Sequence, residues 1–301
     1  MKNYFFLFIS VVLFCNCTNS QMQPSSNTIN LNTNETEVKI DPSKEFKKNK
    51  NEIQKKEISY GSDPLQKMDV YIPKNYSNSH VIFMVHGGGW RNGDKAHSSV
   101  IKNKKDHWVK NGFIFISVNY RLLPEASVMT QLHDVANALV EAQRQAPFWG
   151  GDASKFILMG HSAGGHLISF IASDANFALR KGAMPWLGSI ILDSGALNVP
   201  SLMSEFHFSL FDDAFGNDSK YWIKISPIHQ LKTQTAPILL VSSARRGVSV
   251  NQAEEYYKKT INLGTKAMHL SLNLSHREIN VNLGLDNDYT KNVDEFIKSM
   301  Q

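Results

Sequence analysis

The sequence predicts an α/β protein: a mainly parallel sheet covered by helices on both faces, with a possible small cap. Two features predict it. Short apolar runs recur along the 301 residues with helical patterns between most of them, the order a parallel sheet requires. Several of these runs are continuously apolar rather than alternating, as strands buried on both faces are. In chain order, "KMDVYIP" alternates and stops at Pro73, which suits an edge strand. "HVIFMVHGGGW" and "GFIFISVNYR" are continuous runs and read as central strands. "SVMTQLHDVANALVEAQRQ" places Val128, Leu132, Val135, Ala136 and Leu139 on one helix face. "KFILMG", "GSIILD" and "APILLVSS" are three further buried strands. In "AMHLSLNLS", Met268, Leu270, Leu272 and Leu274 alternate as a buried face with His269 opposite. "YTKNVDEFIKSM" closes the chain as a helix with Val293, Phe296 and Ile297 apolar. Residues 198–235 break the alternation. Their aromatics, among them Phe206, Phe208, Phe211, Phe215, Tyr221 and Trp222, fit either an inserted cap or local helices packed sideways.

The first 57 residues have a different character. "MKNYFFLFISVVLFCNCTNS" begins with a lysine followed by an apolar run too short to span a bilayer, the shape of a signal-peptide core. Both cysteines of the chain, Cys15 and Cys17, follow that run directly. Elsewhere there is no thiol, so a disulfide framework, a cysteine-ligated metal and a cysteine nucleophile are excluded. The arrangement resembles a bacterial lipoprotein signal, in which the cysteine behind the apolar core is lipidated and tethers the protein to the membrane. Cys17, preceded by Asn16, suits that role better than Cys15, preceded by the larger Phe14. A plain secretory signal with incidental cysteines is the alternative; either exports the protein. Residues 1–17 are thus expected to be a signal, residues 18–57 a polar flexible tether, and residues 58–301 the folded unit. Seven lysines against four acidic residues between positions 39 and 57 carry much of the net charge of +5. The excess therefore belongs to a solvated segment, and a nucleic-acid surface has no support.

Three pieces of the folded unit carry chemistry. "GHSAGG" follows the strand "KFILM" and opens a helix, the context a G-x-S-x-G turn needs to lift its central serine, Ser162, above the sheet edge. A glycine-rich turn with a capping serine is the plainer alternative. "HGGGW" ends an earlier strand; the N–H groups of Gly88 and Gly89, with that of Ala163, would form an oxyanion hole. A flexible turn would look the same, but its place upstream of Ser162 favours the hole. His276, in "LSHREIN" after the last strand, is where a base for Ser162 is expected, unless it is a histidine of a surface loop. His166 lies too close to Ser162 on the same helix to reach back, and His207 and His229 fall in the irregular insert.

With these pieces assembled, the chain from about residue 58 to 299 resembles an α/β-hydrolase of the small bacterial carboxylesterase type, related to hormone-sensitive-lipase-like and arylformamidase-like enzymes. "YGSDPLQKMDVYIP", "HGGGWRNGD", "VNYRLLPEA", "LHDVANAL", "GHSAGGHL" and "SPIHQL" read like that group's segments in its order. The resemblance implies cleavage of short acyl esters with neither metal nor organic cofactor, and it gives His86 and Asp134 an architectural role.

One departure stands out. Where the group carries its acid, in the loop after the seventh strand, this chain has Arg245 and Arg246. An arginine cannot orient a neutral imidazole or stabilise its protonated form. Asp193, at the end of "GSIILD", would emerge at the same sheet edge as Ser162 and is the preferred acid; capping a turn with Ser194 and Gly195 is its alternative. Glu254 fits the first turn of the next helix, Asp286 and Asp288 fit the start of the last helix, and Asp212 and Asp213 lie in the insert. The arginines would then either bind an anionic substrate group or, preferably, pair with an acidic residue to fix the loop. The expectation is an exported Ser162–His276–Asp193 carboxylesterase acting on a small-molecule ester. The rivals are an amide-cleaving relative and a binding protein on a retired hydrolase scaffold.

Overall fold

The computed structural model describes residues 53–301. The expected signal, Cys17 and most of the expected tether lie outside the described residues. Within them, eight strands form one sheet: β1 (Gln54–Ser59), β2 (Lys67–Ile72), β3 (Ser79–Val85), β4 (Ile114–Val118), β5 (Gly151–His161), β6 (Gly188–Leu192), β7 (Ile238–Ser243) and β8 (Ala267–Leu272). Their order is β1-β2-β4-β3-β5-β6-β7-β8. The pairs β1–β2 and β2–β4 are antiparallel, and every later pair is parallel.

Helices α1 (Ser98–Lys110), α2 (Val128–Gln145), α3 (Ala163–Ser173), α4 (Asn176–Leu179) and α5 (Val199–Ser204) appear in chain order. They are followed by α6 (Ser209–Phe215), α7 (Ser219–Ile225), α8 (Pro227–Gln230), α9 (Gly247–Asn262), α10 (His276–Val281) and α11 (Asp288–Lys298). The continuous apolar run of β3 divides between two cores, as the two-residue period of a strand requires. Val81, Phe83 and Val85 join the core that contains Leu132, Val135 and Leu139 of α2. Ile82 and Met84 join the core that contains Trp108 of α1 and Val293, Phe296 and Ile297 of α11. Burial of both strand faces is what makes the run apolar throughout.

Two expectations are corrected. The strand ending before Pro73 is not at the edge: β2 lies between β1 and β4. The edge belongs to β1, so the folded unit reaches back past Ile58 to Gln54, and residues 54–57 are not tether. β1 reads QKKEIS and is mostly exposed; charge is how an edge strand discourages further pairing, and it also hides the strand from hydropathy. Ion pairs dock it, with Glu57 meeting both Lys67 and Lys95, and Lys55 meeting the buried Asp69. Among the described residues β8 forms the opposite edge, and there Met268 is 38% exposed rather than buried.

The register levels the C-terminal ends of the central strands. Val85 pairs with Gly160, His161 with Leu192, and Leu192 with Val241. The residues that follow β3, β5, β6 and β7 therefore emerge together at one sheet edge.

Candidate active site

At the end of β5 the chain turns abruptly into α3, with Ser162 between them at φ 56° and ψ −118°. A serine held in this region is strained and persists only where the surroundings fix it. Its N–H donates to Leu192 O at 2.9 Å and its carbonyl accepts from His166 at 3.0 Å. A Cβ on Gly160 would collide with the Gly164 backbone, and one on Gly164 with the carbonyls of Val85 and His86. The spacing G-x-S-x-G is thus a packing requirement. The Ser162 side chain caps no N–H of α3, which removes the capping alternative.

Gly87 lies against the serine: a Cβ there would fall 2.9 Å from Ser162 Cβ. The next three residues, Gly88 (φ 129°), Gly89 (φ 61°) and Trp90 (φ 59°), all have positive φ and carry the backbone out of the ladder. The N–H groups of Gly88, Gly89 and Ala163 have no protein acceptor among the described residues. Trp90 anchors this loop: its Nε1–H donates to His166 Nδ1 at 3.3 Å, and its carbonyl accepts from Gln131 Nε2 at 2.8 Å. The buried His86 ring stacks on Tyr120 at 4.6 Å, and its Nδ1 lies 2.7 Å from Gly87 O. Asp134 receives a bidentate Arg121 at 2.7 and 2.8 Å and Gln66 Nε2 at 2.8 Å. Both residues serve the framework.

His276 opens α10 directly after Ser275, which forms a reciprocal capping box with Glu278. Its Nδ1 is 2.6 Å from Asp193 Oδ2. Asp193 immediately follows β6, at φ 49°, with its side chain fully buried. Oδ1 accepts from Ser243 N at 2.8 Å and from Ser249 Oγ; Oδ2 accepts from Arg246 Nη1 at 2.6 Å as well as from His276. Burial alone would raise the Asp193 pKa. The His276 hydrogen bond, reinforced by Ser249, the Ser243 amide and Arg246, instead holds it far below the usual carboxylate range.

Arg246 Nη1 also lies 2.8 Å from His276 Nδ1. A guanidinium can only donate, so the arrangement that satisfies all three groups puts the imidazole proton on Nδ1, with both donors on Oδ2. His276 Nε2 is then left as an acceptor. Arg245 reaches Glu278 at 3.2 Å and Asn273 Oδ1 at 2.9 Å, bracing the start of α10. Both arginines are paired.

A cavity of about 1020 Å³ gathers these groups: Gly88, Gly89, Ser162, Ala163 and His276 all line it, with Asp193 beneath. Leu202, Phe206, Phe208, Leu210 and Phe211, from the segment holding α5 and α6, line it too, so this part of the insert covers the site. Sequence reasoning missed two neighbours, His161 and Ser249, and for Arg246 it expected a pairing with an acidic residue without saying which. The His161 ring lies 4.5 Å from that of His276, tilted by 34°, and donates from Nε2 to the His276 carbonyl at 3.1 Å; Ser249 and Arg246 complete the Asp193 shell. The variable position of G-x-S-x-G was the only pointer to His161. Nothing local flags Ser249. No group of three or more His, Cys, Asp or Glu among the described residues is placed to hold a metal ion.

This sheet, with a strained serine after its fifth strand and a histidine after its last, is the α/β-hydrolase fold of bacterial esterases. Residues 68–186 match the family model described as BD-FAE, an α/β-hydrolase domain. Among curated proteins, the chain is 27% identical over 156 residues to the probable isoprenylcysteine α-carbonyl methylesterase ICME of Oryza sativa subsp. japonica. That match covers 50% of this chain and 37% of the relative, so the chain spans little more than a third of it. It is 24% identical to the kynurenine formamidase of Danio rerio over 217 residues, covering 70% of each. Esterase B from Lactobacillus rhamnosis superposes with a TM-score of 0.66 at 20% identity, covering 83% of this chain and 84% of that one.

Proposed function

We propose that the protein is a serine hydrolase that cleaves short-chain carboxylic esters through Ser162, His276 and Asp193. The observation that carries this reading is the strained Ser162 sharing a cavity with His276, whose Nδ1 meets the buried Asp193 at 2.6 Å. His276 Nε2 takes the proton of Ser162 Oγ as that oxygen attacks the ester carbonyl. The N–H groups of Gly88, Gly89 and Ala163 receive the oxyanion. The C–O bond to the alcohol then breaks, and Nε2–H returns the proton to the leaving oxygen. Water, deprotonated by the same nitrogen, releases the acid and restores the serine. Asp193 holds the tautomer that leaves Nε2 free to act.

The test is hydrolysis of p-nitrophenyl acetate and butyrate by the wild type and by Ser162→Ala. The variant is expected to lose about three orders of magnitude or more in kcat. Equal rates in the two proteins would refute the mechanism. The match to a formamidase over 70% of both chains favours amide chemistry as a second reading, and formyl anilides assayed in parallel separate the two.

We further propose export and membrane tethering through lipidated Cys17, on the strength of the apolar run that precedes it. Incorporation of an alkynyl fatty acid should survive Cys15→Ala and vanish in Cys17→Ala; the reverse pattern moves the site to Cys15.

A further inference from the structure

The cavity has two chemically different walls. On one, Leu210 stands beside the oxyanion loop, its Cδ1 3.8 Å from where a Cβ on Gly89 would be, and Phe206, Phe208 and Phe211 extend an apolar surface. The other belongs to α10, which begins with His276 and contributes Arg277 and Asn280. Arg277 makes no ion pair or hydrogen bond with any described residue, although every other arginine among them is paired. Arg91, Arg121, Arg144, Arg180, Arg245 and Arg246 each meet a carboxylate.

Behind this wall Lys104 is buried and gives its ammonium only to neutral acceptors: Val100 O, Asn280 O and Asn280 Oδ1. Burial pushes its pKa down to about 7. Among the described residues, Asp94 is the one carboxylate that lines the cavity. It lies on the loop before α1 and is engaged by Ala96 N at 2.7 Å and Asn119 Nδ2 at 2.9 Å.

Chemistry decides which end of a substrate meets which wall. The base that deprotonates Ser162 must return that proton to the leaving oxygen, so the alcohol part departs on the His276 side. On α10, Arg277 is the next residue. We infer that Arg277 is a specificity-determining residue that binds an anionic group, such as a carboxylate, on the alcohol part of the ester. The acyl part faces the apolar wall. The inference rests on the serine-hydrolase reading for the direction in which the substrate lies. A guanidinium at the cavity wall that feels the charge of the neighbouring Glu278 but makes no ion pair or hydrogen bond with a described residue suits a carboxylate, because it can offer two parallel N–H donors.

The test uses equilibrium binding, so that it does not depend on turnover. Titration calorimetry on full-length Ser162→Ala protein compares 4-acetoxybenzoate with its uncharged near-isostere 4-acetoxybenzamide. The carboxylate is expected to bind about tenfold more tightly, the scale of one charge-assisted hydrogen-bonding contact. The preference should shrink in about 0.5 M KCl and disappear in Ser162→Ala/Arg277→Gln. Arg180→Gln, on the surface ion pair with Asp174, serves as the control and should preserve it. Equal affinities, no detectable carboxylate binding, or a preference that persists in the Arg277→Gln protein would each overturn the inference. Absence of ester hydrolysis by the wild type would instead count against the proposed function, and the two failures are read in separate assays.

Discussion

Four donors converge on the buried carboxylate of Asp193: a backbone amide, a serine hydroxyl, a guanidinium and the imidazole of His276. Asp193→Asn keeps the shape but turns an acceptor into a donor. The amide would donate to Nδ1 and force the proton onto Nε2, the atom that accepts from Ser162 in the proposed mechanism. The expected loss is about 10⁴-fold in kcat with KM little changed. Glu254→Gln, in an exposed pair with Lys258 on α9, should stay within about twofold of the wild type. If the two variants exchanged effects, the acid would be misassigned. Ser162 and His276 were legible because strand, turn and helix signals surround them. Asp193 was legible as a candidate because it directly follows β6, at the same sheet edge as Ser162, while the position expected for the acid holds Arg245. That Arg246 would pair with an acid was expected, but not that the acid is Asp193, since only tertiary packing brings the Arg246 side chain from the loop after β7 to the end of β6.

Between β5 and α3 the turn at Ser162 trades side chains for proximity. Gly164→Ala puts a Cβ against the Val85 and His86 carbonyls, and no flexible side chain is there to yield. Overpacking of this kind should cost about 3 kcal/mol, lowering Tm by roughly 10 °C in thermal unfolding. An unchanged Tm would mean that the turn relaxes more freely than its geometry implies. The central strands were readable because burial on both faces leaves a continuous apolar run. β1 was not, because an edge strand of lysine and glutamate looks like the solvated segment before it. The insert remained ambiguous in sequence because its aromatics are spread over short helices and the loop between them, with no single periodicity. Phe206, in the loop between α5 and α6, is 98% exposed, while Phe215 at the end of α6 is buried.

Across the whole molecule, the imidazoles of His161 and His166 are held neutral chiefly by burial, which lowers their pKa values to about 3 and about 4 from 6.5. Between those values and 6.5 the unfolded chain binds more protons than the folded one, so stability rises with pH there and falls on acidification. Asp193, with its depressed pKa, adds to the loss in the same direction once pH drops below the ordinary carboxylate range. Urea midpoints should therefore decline steadily from about pH 6.5 to pH 4. His166→Asn, if folded, should flatten part of that slope, and a midpoint independent of pH would contradict it. The central claim, that the levelled strand ends assemble a working nucleophile despite the arginines after β7, is most directly tested by fluorophosphonate labelling of the full chain with the adduct mapped by mass spectrometry. The account predicts one adduct, on Ser162, formed in step with loss of esterase activity and much more slowly in Asp193→Asn. Folded protein left unmodified, or modified elsewhere with Ser162 intact, would contradict it.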